Sequence, residues 1–178
     1  MQKLPMSNEQ LLRTILGVLG LIAAVAVTVS AAQHQPAGGS SNPTVDDRRA
    51  GYVAPDFETG QKLEEIRQDF FTAVRQLRSD DALPPVSLDP ELQRLAQQHA
   101  EGNAVTKTQP NLEPDGGRDI GQVSASMPLE NASGHAFLEL IIHSQKHMDV
   151  LLNPEHRYMG VGVAYGHGEV WVVVAFSH

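Results

Sequence analysis

The chain has 178 residues, enough for one domain with appendages, and carries a formal net charge of −8 with no cysteine. That acidity, with no basic stripe to offset it, excludes electrostatic capture of nucleic acid. The missing thiols exclude disulfides and thiolate metal sites together.

Residues 15–32 read ILGVLGLIAAVAVTVSAA, an uncharged and almost wholly apolar run. Lys3 and Arg13 precede it, and no charge follows until Asp46. As a signal peptide it offers small residues for cleavage at Val29-Ser30-Ala31 or Ser30-Ala31-Ala32. As an N-terminal membrane anchor it is near the lower length limit for spanning hydrocarbon. A buried helix of the domain is the less favoured third reading. Either of the first two exports everything downstream, with membrane contact through this segment alone. The expected location is extracytoplasmic, secreted or anchored.

Residues 33–60, rich in Gly, Pro, Ser and Asp, read as a flexible linker, and 61–178 as the folded domain. Leu63, Ile66, Phe70, Val74 and Leu77 recur at helical spacing, with Glu64, Glu65, Gln68, Arg75 and Arg78 placed off that stripe. Leu83-Pro84-Pro85 ends this helix. Asp89 then caps a second one, with Pro90 at its first position and Glu91 favouring its positive end. Leu92, Leu95, Ala96, His99 and Ala100 share a face, and His99 on that stripe reads as a buried structural histidine. Lys107–Gly117 is turn-rich, and Ile120–Ser126 suits a short strand. A third helix is expected from Asn131 or Ser133 to about Val150, with Pro154 limiting it. Met159–Tyr165 and Val170–Phe176 suit strands joined by a turn at Gly166-His167-Gly168, with Trp171 in the core. Helices preceding a terminal antiparallel hairpin point to an α+β layered domain.

Several blocks fall in a telling order. They are Arg78, Ala82-Leu83-Pro84-Pro85-Val86, Asp89, Leu92, Ala96-Gln97-Gln98-His99-Ala100 and Ala104. Ser144-Gln145-Lys146-His147, Leu151-Leu152-Asn153-Pro154, Gly160-Val161-Gly162-Val163-Ala164 and Gly168-Glu169-Val170-Trp171 complete the series. Over residues 65–178 this resembles the CAP superfamily, or SCP-like extracellular domain, in its cysteine-free bacterial branch. The resemblance implies a CAP-like α-β-α sandwich, with a small antiparallel sheet between helical layers. It also implies a surface cavity, often with a His/Glu cluster able to hold a divalent metal.

By that resemblance the cavity positions fall on Asn111, Gln122 and His147, where the family pattern has His, Glu and His. A family tryptophan falls on Ile141. Neutral amides are poor partners for Zn²⁺ and cannot act as general bases. The expected function is therefore a non-catalytic binding module for a lipid, glycan or protein at the cell envelope, using no cofactor. A second reading, independent of the family, places His143 and His147 four apart on one helix face, where they could share a metal such as Zn²⁺. Glu139 is the nearest carboxylate. Ser144 stands where a zincin needs Glu, so a hydrolytic site would not follow the H-E-x-x-H pattern. The third reading is a structural envelope protein. Asn131-Ala132-Ser133 is a glycosylation sequon only by letter.

Overall fold

A computed structural model describes residues 48–112 and 119–178. The apolar run at 15–32 lies outside the described residues. Among those described, no helix is long and apolar enough to cross a membrane.

Helix α1 (Phe57–Asp80) begins six residues before Leu63, the first residue of the apolar stripe, because Asp56 accepts a hydrogen bond from the Thr59 N–H and caps it. The two-residue strand β1 (Ser87–Leu88) follows, then α2 (Pro90–Thr106), capped as expected by Asp89 with Pro90 in the first turn. Strand β2 is Gly121–Pro128, followed by a 3₁₀ turn over Leu129–Asn131.

The third helix is broken in two, contrary to the continuous helix expected. Helix α3 spans Gly134–Ile142 and α4 spans Gln145–Leu151. Ser144 between them adopts extended backbone (φ −105°, ψ 119°), which helical hydrogen bonding cannot pass through. Strands β3 (Tyr158–Gly166) and β4 (Glu169–Ser177) close the chain as a hairpin. His167 (φ 55°) and Gly168 (φ 84°) take the left-handed conformations of its tight turn.

The sheet order is β1-β3-β4-β2. Its three long strands are antiparallel, as expected, but β1 runs parallel to β3, so the sheet as a whole is mixed. Alternation along β4 divides the core. Val170, Val172, Val174 and Phe176 meet α1, α3 and α4 on one face, while Trp171, Val173 and Ala175 meet α2 on the other. This is the expected α-β-α sandwich. Helix α2 lies close to β3 because Gly160 and Gly162 offer it bare backbone. A Cβ added at Gly162 would overlap the Ala96 carbonyl, and one at Gly160 the backbone of Leu92.

The amides of α2 also finish the sheet edge. Gln93 exchanges hydrogen bonds with the Val161 N–H (3.0 Å) and C=O (2.6 Å), and Gln97 does the same with Val163 (3.1 Å each). Four helical residues advance about 6 Å and two strand residues about 6.6 Å, so an i,i+4 pair on α2 matches an i,i+2 pair on β3.

The folded part also reaches back into the expected linker. Arg49 pairs with Glu101 at 2.6 Å, Arg48 reaches His99, and Tyr52 packs against the α2 side of the core.

Candidate functional site

Gln122 stands on β2 opposite Ala175, so its side chain lies on the α2 face of the sheet. There it holds the incoming loop. Its Oε1 accepts from the Leu112 N–H, and its Nε2 donates to the Pro110 carbonyl at 3.3 Å. Leu112 is thereby seated in the core beside Trp171 and Ala175, and exposed Asn111 is held between the two anchored residues. Two of the three cavity positions implied by the resemblance are thus brought together. The pairing needs an amide: a carboxylate could accept from Leu112 but could not donate to Pro110.

His147 lies elsewhere. It is buried on α4, one turn before Leu151, and Leu151 belongs to the core on the opposite face of the sheet from Gln122. Its Nδ1 has no hydrogen-bond partner among the described residues. Burial holds its pKa below the ordinary value, with the Ile141 carbonyl acting the other way, so the ring is neutral at pH 7.

His143 and His147 do not share a helix face. His143 is the exposed C-cap of α3, and the break at Ser144 puts His147 on α4. Glu139 is exposed on α3. Among the described residues, no group of three or more His, Asp or Glu is arranged to hold a metal ion.

His99 is 1 % exposed, and Arg48 Nη2 lies 3.2 Å from its Nε2. Burial first, and Arg48 second, push its pKa down to about 4. It is a neutral structural residue.

Sequence reasoning missed Arg78, which it placed on the polar side of α1. The guanidinium is fully buried and donates to the carbonyls of Pro84, Leu151, Asn153 and His156. The spacing held the signal, since Ile66, Phe70, Val74 and Arg78 form an unbroken i,i+4 series. His156 and Trp171 were likewise unmarked as polar groups, yet each has a buried ring nitrogen without a partner among the described residues.

Two surface cavities lie away from these residues. One, of about 760 Å³, is bounded by Glu58, Lys62, Glu65, Leu129 and Glu130. The other, of about 660 Å³, is bounded by Arg67, Phe71, Leu88, Pro90 and Gln93.

The fold resembles several solved structures. An outer surface protein of Borrelia burgdorferi superposes with a TM-score of 0.54 at 15% identity, over 70% of this chain and 98% of that one. An extracellular protein containing an SCP domain from Bacillus anthracis gives 0.54 at 22%, over 72% and 45%. A cysteine-rich secretory protein of Staphylococcus aureus gives 0.51 at 14%, over 70% and 40%. The chain therefore spans less than half the length of the latter two. Comparison with curated proteins gave no match. The family model for CAP, the cysteine-rich secretory protein family, matches residues 71–176. With that match across the helices and sheet just described, the chain belongs to the CAP family.

Proposed function

We propose that the protein is an exported CAP module that binds a lipid, glycan or protein ligand at the cell envelope without turning it over. Its N-terminal apolar run exports it and is either cleaved, which releases the domain, or kept as the membrane anchor, with 33–60 as the linker. One observation carries the reading. At the position where the resemblance puts a glutamate, Gln122 commits both amide atoms to fixing the Pro110–Leu112 loop. That is a positioning role, and an amide neither takes up nor gives up a proton near neutral pH.

The test incubates the purified chain with envelope lipid vesicles, peptidoglycan fragments and envelope protein extracts, and in parallel with esterase and peptidase substrates in the presence of Zn²⁺. Saturable retention by one envelope class, without turnover, is the expected result. Zn²⁺-dependent turnover that disappears in His147→Ala would overturn the reading.

A further inference from the structure

Two histidines outside the site described above meet where the chain enters β3 and leaves β4. His156, in the turn between α4 and β3, is 4 % exposed. Its ring stacks on Phe176 of β4, with centres 5.0 Å apart and planes 9° from parallel. His178, directly after β4, is exposed. The ring centres of His156 and His178 are 5.8 Å apart, with the planes tilted by 38°.

The partners of each ring fix where its hydrogen sits. A backbone carbonyl can only accept. His178 Nδ1, 3.4 Å from the Glu155 carbonyl, therefore carries the hydrogen, and Nε2 keeps the lone pair. In His156 a ring N–H serves the Val150 carbonyl. Nδ1 has no hydrogen-bond partner among the described residues, whereas Nε2 lies beside Gly121 and the Val150 side chain. The hydrogen is therefore on Nε2, and Nδ1 holds a buried lone pair. Burial keeps the ring neutral at pH 7. A buried acceptor in this state costs free energy unless a donor or a cation meets it. Each ring thus has the form of a metal-ligating histidine, with one N–H given to a backbone carbonyl and the other nitrogen open.

We propose that His156 Nδ1 and His178 Nε2 share one divalent ion of the imidazole-preferring transition-metal class that includes Zn²⁺. With Zn–N bonds of about 2.0–2.1 Å, two imidazoles on one tetrahedral ion have ring centres about 5–6 Å apart. The observed spacing falls in that range. No third His, Asp or Glu among the described residues completes a ligand group, so water fills the remaining positions from the exposed His178 side. Of the fixed charges acting on the His156 ring, Asp119 favours a cation there and Arg78 opposes one. The ion ties the turn before β3 to the end of β4. It is a structural clasp, built on different residues from the Gln122 loop contact and from His143 and His147.

The test titrates Zn²⁺ alone, with Mg²⁺ as the control, into the full-length chain in detergent, read by nitrogen NMR of the histidine rings. Zn²⁺ should saturate at one ion per chain and shift His156 Nδ1 and His178 Nε2, and Mg²⁺ should shift neither. His178→Gln, at an exposed position, should weaken Zn²⁺ binding by at least about tenfold and remove the rise in Tm that Zn²⁺ gives the parent. His143→Gln should change neither quantity. An unshifted His156 Nδ1 in excess Zn²⁺ would overturn the proposal, as would an affinity unchanged in His178→Gln. Shifts centred on His143 or His147 would also overturn it and assign the ion to α3 or α4.

Discussion

Arg78 is a buried cation held by carbonyl oxygens, with no carboxylate bonded to it among the described residues. Its shortest bonds run to Leu151 at 2.7 Å and to Pro84 and Asn153 at 3.1 Å, with His156 at 3.3 Å. It therefore ties the end of α1 to the 84–86 segment and to the chain leaving α4. The surroundings press on the charge: burial lowers its pKa, and Arg157 adds a smaller push the same way. Replacing a buried ion pair by apolar residues is often harmless, because both charges leave together. Here Arg78→Met removes only the donor and strands the acceptors. The Leu151 and His156 carbonyls are the fully buried pair, and an unsatisfied buried acceptor costs about 1–3 kcal/mol. With lost packing of the side-chain stem, Arg78→Met should cost about 4 kcal/mol. Arg78→Lys keeps the charge but presents three donors from a single point, and should cost about 2 kcal/mol. Urea unfolding of residues 48–178 reads both as shifts in midpoint at unchanged slope. A methionine variant as stable as the parent would refute the idea that the guanidinium is held by backbone acceptors that need it.

Gln97→Leu should cost about 2–3 kcal/mol by stranding the Val163 N–H and C=O, and hydrogen exchange at the Val163 amide should accelerate markedly. His99 titrates near 4 when folded but near 6.5 when unfolded, so the unfolded state binds the extra proton. Stability is therefore unaffected above pH 6.5 and falls by about 3 kcal/mol in all as pH drops from 6.5 to 4. In His99→Gln, the slope of stability against pH should shrink by about one proton across that window. Gln122→Glu should loosen the 110–112 loop through loss of the donor to Pro110, seen as faster exchange at the Leu112 amide with little change in the unfolding midpoint.

What could be read from residues was what short-range rules govern. Asp89-Pro90 marked the start of α2 to the residue, and the alternation of β3 and β4 was visible as Gly-Val-Gly-Val-Ala and a valine run, because capping and pleating are local. The break at Ser144 was hidden because Ile141, Ile142, Met148 and Leu151 continue an apolar pattern straight across it, and periodicity alone carries no signal for a change of axis. Strand β1 was missed because two residues carry no alternation, and its pairing with β3 is set by tertiary contact. At the site, the loop between α2 and β2 brought Asn111 beside Gln122, which motif spacing allowed. Motif spacing could not say on which side of the sheet His147 would stand. Arg78 was misplaced for a different reason: a charge on a helix reads as solvent-facing until four carbonyls from other segments converge on it.

The match between Gln93–Gln97 and Val161–Val163 makes α2 a ratchet pawl against the sheet. One inserted or deleted residue between the two glutamines would rotate one of them by about 100° and shift it about 1.5 Å, disengaging half the clasp at once. The helix therefore cannot creep along β3 by small steps. It can sit only in the seated register or one whole helical repeat away, where Gly160 and Gly162 no longer lie beneath it. A change of length within α2 or β3 would consequently break the clasp, whereas residues 107–112 after α2 take no part in it.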